Sequence, residues 1–314
     1  MRSSRTRLAA VLVALLSAAV IVGCGSSNSS SSSSSSSAGS SSSASSTPAS
    51  SSGADSKVAA LVPAALKSKG TLTVAADASY APNEFIASDG HTVIGMDADL
   101  MKALAGVMGL KIKIVNATFD SIIPGLAAGK YDVGASSFTD NKEREKTVDF
   151  VDYFTAGESF YTKAQGGATI SSIDDLCGHT VAVERGTTEQ TDAGAQSKKC
   201  KSAGKPAVTV LPFADQNGAN LALVSGRAQL GFADSPVAEY QVKKSNGQFK
   251  LIGQSYANAP YGLAVPKDSG LARPLQAALL VLMRNGTYKT ILAHWGVQAG
   301  AIPPSKVKVN GAIS

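Results

Sequence analysis

The chain is poor in the residues that build metal centres and nucleic-acid surfaces. Its three histidines, His91, His179 and His294, stand alone with no metal-ligand spacing between them. No metal or other cofactor is expected. No run of Lys or Arg is interleaved with aromatics, which make up 6% of the residues, so nucleic acid is not an expected partner. Charge is close to balanced: 29 basic against 23 acidic residues give +6, and setting aside Arg2, Arg5 and Arg7 leaves 26 − 23 = +3. One long apolar run occurs, at 8–22, and no second one follows that could span a membrane. Cysteine is confined to Cys24, Cys177 and Cys200.

What is present begins with the ends. A basic start, a short apolar run and Ile21-Val22-Gly23-Cys24 describe a secretory signal peptide over 1–23. A cut just before Cys24 resembles the bacterial lipobox. That resemblance implies a lipid on Cys24 and an extracytoplasmic protein anchored to the cell membrane. Residues 24–56 are mostly serine, with almost nothing to bury, and are expected to be a disordered spacer. Such a coil separates its ends by roughly 30 Å. Cys177 and Cys200 lie 23 positions apart in a chain that leaves the cytoplasm, which permits a disulfide; two buried thiols are the alternative.

The remaining portion, about 250 residues, suffices for two lobes of roughly 120 each. Short apolar strands alternate with helical periodicity, which predicts an α/β fold with mainly parallel sheets. Strands are expected at 71–76, 111–115, 131–135, 180–184, 207–211, 229–233, 249–252 and 261–265. Helices are expected at 97–107, 121–128, 188–199, 216–225, 235–245, 271–285 and 287–294. The most informative stretch runs from Phe119 to Asp152. A Gly turn and a buried strand lead into Ser136, Ser137 and Thr139, and a predicted helix start carries Arg144. Hydroxyls, free N–H groups and a guanidinium at one place suit a small carboxylate. Part of this pattern recurs 97 residues later: Leu126, Gly129, Lys130, Val133, Gly134 and Ser137 correspond to Leu223, Gly226, Arg227, Leu230, Gly231 and Asp234. Ser137 and Asp234 would then sit at equivalent points, just past strand ends, where open α/β sheets bind ligands.

Several landmarks follow one another in order: Asp77-Ala-Ser-Tyr80-Ala-Pro82, Gly95-Met-Asp97, Ile123-Pro124, Gly129-Lys130-Tyr131-Asp132, Arg144 with Val148-Asp149-Phe150, Gly186-Thr187-Thr188, Asp234 and Asn285-Gly286-Thr287-Tyr288. In this order and spacing, from about Thr71 to Trp295, the chain resembles the solute-binding proteins of ABC importers for polar amino acids. The lysine/arginine/ornithine, histidine and glutamine binders are of this type. The resemblance implies a two-lobe periplasmic-binding-protein-like fold of type II, with two crossover hinge strands and the ligand in the cleft between the lobes. Lobe 1 would comprise 70–160 plus 257–300, lobe 2 would comprise 161–256, and 301–314 would be a C-terminal tail. The hinges would lie near Ser159-Phe160-Tyr161 and Ser255-Tyr256.

The same resemblance implies roles. Arg144 would hold the ligand's carboxylate bidentately, which Lys could not reproduce. Ser136, Ser137, Thr139 and Thr188 would add donors, and Asp234 would receive the ammonium. Tyr80 would lie against the ligand side chain. Asp77, Glu84 and Glu189 could accept from it, which leans toward a basic or amide side chain. Three departures from the family pattern stand out: Asn141 where Thr is common, Met96 in place of Phe, and Asn83 in place of Phe with Phe85 expected to take over that role. The implied partners are a free amino acid, an ABC permease and, through the lipid, a membrane; the protein would be a monomer without catalytic activity. The alternatives are a cyclohexadienyl or arogenate dehydratase on the same fold, with Glu84 or Glu189 as general acid, and the sensing module of a signalling partner.

Overall fold

The structure is a computed structural model, and residues 53–312 are described. The expectations for the signal peptide, for Cys24 and for most of the spacer fall outside the described residues.

Two short helices come first, where no element is expected from the sequence. Asp55 caps α1 (Ser56–Leu61) by accepting from the N–H groups of Lys57 and Val58, and Gly70 in the left-handed region ends α2 (Ala64–Lys69). Val58, Val62 and Leu66 make them part of the first core. The chain continues as β1 (Thr71–Ala76), β2 (Ser79–Tyr80), β3 (Glu84–Ile86), β4 (Val93–Ile94), α3 (Met96–Val107), β5 (Lys111–Asn116), α4 (Phe119–Ala127) and β6 (Val133–Gly134). Then follow β7 (Val148–Lys163), β8 (Thr180–Glu184), α5 (Thr188–Ser202), β9 (Thr209–Phe213), α6 (Gln216–Val224), β10 (Leu230–Asp234) and α7 (Ser235–Lys244). The last elements are β11 (Phe249–Pro266), α8 (Ala272–Arg284) and α9 (Thr287–Trp295).

Two expectations need correcting. Arg144 does not start a regular helix but a single 3₁₀ turn, Arg144–Lys146. The run Lys142–Lys146 has no apolar face to bury, and β7 begins two residues after the turn. The strands expected at 249–252 and 261–265 are one strand, β11, paired with β7 along its length through register shifts between Ile252 and Ala259.

The eight-stranded sheet has the order β5-β1-β6-β11-β7-β10-β8-β9. On one side β1 runs parallel between β5 and β6; on the other β8 runs parallel between β9 and β10. The two trios mirror each other about the central pair β7–β11, which gives the 97-residue repeat a physical basis. β6 meets β11 at Ala264, whose partner in β7 is Phe150, whereas β10 meets β7 between Glu158 and Tyr161. Because β10 is antiparallel to β7 and β6 parallel in direction to it, the C-terminal ends of both trios converge on the middle of β7. Ser159–Tyr161 and Ser255–Tyr256, the expected hinges, lie within these two long strands.

Two main apolar cores flank that midpoint. One gathers Leu72, Leu100, Leu104, Tyr153, Leu263, Leu275 and Leu279; the other gathers Phe160, Leu176, Val181, Val183, Leu230 and Phe232. Gly95 at the start of α3 has φ 127°, and a Cβ there would collide with the backbone carbonyl of Asn83, so α3 packs against the β2–β3 turn only with glycine. A disulfide joins Cys177 to Cys200. The segment after 300 is packed rather than loose: Ala301 and Val309 bridge to Phe154 and Val151 of β7, and Asn310 Oδ1 accepts the Phe150 N–H at 2.8 Å. Among the described residues no helix is long and apolar enough to cross a membrane.

Candidate functional site

A cavity with about 270 Å³ of empty space, part of it open to solvent, lies where the strand ends converge. Its lining comes from both sides of the sheet: Tyr80, Phe119, Ser136, Ser137, Thr139 and Arg144 face Glu184, Thr187, Thr188, Glu189 and Asp234. Eight of the ten ligand-binding residues expected from sequence are therefore brought together; Asp77 and Glu84 are not on this wall.

Arg144 owes its position to the 3₁₀ turn, whose first N–H is capped by Asn141 Oδ1 at 2.9 Å. The guanidinium donates to Thr139 O at 2.8 Å and, across the cleft, to Gly186 O at 3.0 Å. It also lies 5.3 Å from the ring centre of Phe119 and 5.5 Å from that of Phe138, so aromatic faces hold its plane. Burial pulls its pKa down, while Glu189 and Asp234 act the other way.

Asp234 ends β10 and precedes α7, yet its side chain makes no capping bond. It accepts instead from the Tyr80 hydroxyl at 2.9 Å, while its own N–H donates back to that oxygen at 3.0 Å. Ser79 Oγ accepts the first N–H of α6, from Gln216, at 2.9 Å. These bonds and the Arg144–Gly186 bond span the cleft. Burial, then the nearby Glu158, push Asp234 up to about 7. Burial and Asp234 raise Glu189 to about 8, and its Oε1 is buried without a partner.

Behind the serines stands a second layer. Glu84 is fully buried and accepts from Ser136 Oγ at 3.0 Å and Ser137 Oγ at 3.2 Å. Asp97 Oδ2 accepts the Ser137 N–H at 2.9 Å, and Tyr153 donates to Asp97 Oδ1 at 2.7 Å. Ser137 itself has φ 52°, so this network holds it in a conformation that non-glycine residues avoid. Glu84 thus supports Ser136 and Ser137 from behind rather than lining the cavity. Asp77 Oδ2 accepts the first N–H of α4, from Phe119, at 3.0 Å, and Oδ1 accepts from Ser79 Oγ at 2.6 Å. Phe85 does not reach the cavity; it packs edge-on against Trp295, ring centres 5.6 Å apart. The phenylalanine on the wall is Phe119, which joins Tyr80 there and was not among the expected site residues.

Glu184 was missed as well. It ends β8 as Asp234 ends β10, and the sequence signal was available: an apolar strand, Val181-Ala-Val183, running straight into a carboxylate. Thr187 caps α5, accepting from the Gln190 N–H at 3.2 Å, and donates to Glu184 O at 2.9 Å. Among the described residues no group of His, Cys, Asp and Glu is placed to hold a metal ion.

Two α/β lobes sharing a pair of long strands, with a polar cleft at the facing strand ends, define a two-lobe solute-binding protein. Residues 72–298 match the model of the bacterial extracellular solute-binding proteins, family 3, and the chain belongs to that family. It is similar to the arginine-binding protein ArgT of Corynebacterium glutamicum, 39% identical over 247 residues that cover 78% of this chain and 81% of that one. Among solved structures it is similar to an ancestral arginine-binding protein bound to arginine, at 37% identity and a TM-score of 0.66, covering 72% of this chain and 98% of that one. The same ancestral type bound to glutamine matches at 36% identity and a TM-score of 0.65, covering 73% and 98%. These relatives are binding proteins, and the chain is a binding protein, not an enzyme.

Proposed function

We propose that the cleft captures a basic amino acid, arginine foremost, outside the cytoplasm and hands it to the permease of an ABC importer. The observation that carries this is the charge of the wall: Arg144 is the one cation among the lining residues, against Glu184, Glu189 and Asp234. Against three carboxylates, a ligand with one carboxylate and two cationic ends leaves one acid unmatched, and an amino acid with a neutral side chain leaves two. In this reading Arg144 takes the carboxylate, with Ser136, Ser137, Thr139 and Thr188 as further donors. Asp234 takes the ammonium, and Tyr80 and Phe119 enclose the aliphatic stem. The two bonded ends come from opposite sides of the sheet, so the ligand itself ties the lobes together. Charge-assisted bonds contribute about 1.5–3 kcal/mol each, and micromolar affinity corresponds to about −8 kcal/mol after the costs of association. The relatives named for arginine support the choice of side chain. Lobe limits at 70–160 plus 257–300 and 161–256, a lipid on Cys24 and a monomeric state complete the proposal.

The test is a thermal-shift and calorimetry screen of the twenty amino acids, ornithine and citrulline. Arginine at 100 times its dissociation constant should stabilise the protein by about 2.7 kcal/mol. Arg144→Ala should abolish this while the variant still folds cooperatively. Stabilisation by neutral or acidic amino acids alone, or wild-type affinity in the variant, would overturn the proposal.

A further inference from the structure

The four strand ends around the cleft fall into two related pairs. Ser137 follows β6 and Asp234 ends β10; Asp77 follows β1 and Glu184 ends β8. The sheet order makes β1 and β8 the centres of their trios, so Asp77 and Glu184 occupy equivalent places on opposite sides. The first pair lies with Arg144. The second forms a separate acidic corner, in which burial and then the neighbouring Asp77 push the Glu184 pKa well up.

Three observations favour Glu184 over its partner Asp77. It lines the cavity, whereas Asp77 does not. It is 2% exposed, and its Oε1 has no hydrogen-bond partner. Asp77 behind it already accepts from Ser79 and from the Phe119 N–H, which leaves Glu184 as the member of the pair able to turn an oxygen to a ligand. We propose that Glu184 is the specificity-determining carboxylate of the cleft, seating the cationic end of the ligand's side chain and setting the preference for a charged over a neutral one. The inference rests on the reading of the cleft as a basic-amino-acid site, and it names the residue that makes it one.

The chemistry has a signature. The charged groups facing Glu184 are Asp77 at the end of β1, Glu189 of α5 and Asp215 at the start of α6, all acidic, with Arg144 elsewhere on the same wall. Burial and acidic neighbours favour the protonated form of Glu184. A guanidinium arriving at Glu184 replaces that proton, which leaves for solvent. A neutral ureido group accepts or donates a hydrogen bond there without displacing it.

The test compares arginine with citrulline, its neutral counterpart of nearly the same shape, by titration calorimetry in wild type and Glu184→Gln. The variant should weaken arginine about ten- to hundredfold, the worth of one charge-assisted bond, and citrulline by less than about threefold. In wild type at pH 7, buffers of different ionisation heat should show more protons released on binding arginine than citrulline, an excess that the variant loses. Equal weakening of both ligands, or none, overturns the inference while leaving the site reading intact. Wild-type protein that takes citrulline or glutamine but not arginine overturns both. Should the variant fail to fold, the proton excess in wild type decides: its absence refutes the role of Glu184.

Discussion

At the scale of single residues, the cleft holds carboxylates that would rather be neutral. Asp234 stands at about 7, Glu189 at about 8 and Glu158 behind them at about 9, each raised first by burial and then by an acidic neighbour. In the unfolded chain such groups titrate near 4. A folded-state pKa above the unfolded value means that the native protein binds more protons in between, so stability falls as pH rises through that window. The ligand-free melting temperature should therefore drop between about pH 5 and pH 8.5. The gain on adding arginine should grow over the same range, because cations then meet ionised partners. A melting series at several pH values with and without arginine checks this; a ligand-free profile that rises through the window would contradict it. Glu84 shows how far residue type alone misleads. Its position in the sequence suggested the ligand wall, and only its bonds to Ser136 and Ser137 reveal a support.

At the scale of elements, the strand ends make the site and the helices aim at it. α4, α5 and α6 all begin at the cleft, so their N-terminal N–H groups add positive potential where carboxylates gather. α5 is weakly anchored by apolar contact: its buried residues are Glu189, Ala193, Gln196 and Cys200. The disulfide to Cys177 therefore matters more here than in a helix with an apolar stripe. It closes a loop of 23 positions, for which the chain-entropy relation gives about 3 kcal/mol. Replacing both cysteines by serine should lower unfolding stability in urea by about that amount and speed amide exchange in α5. An unchanged midpoint would show that the bridge contributes nothing. Most strands and helices after residue 70 were legible because period and glycine punctuation agree with burial there; β2, β3 and β4 were not, being only two or three residues long. The helices at 56–69 were not, because each is only six residues long and gains its stability from the first core. The continuity of β11 was hidden too: seven of its first twelve residues are exposed, so no alternation marks them as strand.

At the scale of the whole molecule, two cores share one sheet, and the C-terminal segment seals the β7 edge of the first. Truncation after residue 300 would uncover Phe154 and Val151, both buried. The proposed lipid on Cys24 would tether this body through the serine-rich spacer. Cys24→Ser should move the protein from the membrane fraction to the soluble extracytoplasmic fraction, read by immunoblot; persistence at the membrane would refute the anchor.

The sequence by itself determined the class of fold, the repeat, Arg144 and Asp234 as residues of the cleft and the cysteines available for a bridge. Those follow from local pattern, in burial period and turn residues, and from the order and spacing of the family landmarks. Only the tertiary structure decided which acids face the cavity. Asp77, Glu84, Glu184 and Glu189 look alike along the chain. Strand direction and packing send Glu184 and Glu189 into the cleft, keep Asp77 behind its rim and turn Glu84 inward. That choice depends on contacts between residues up to about a hundred positions apart, which no local pattern encodes.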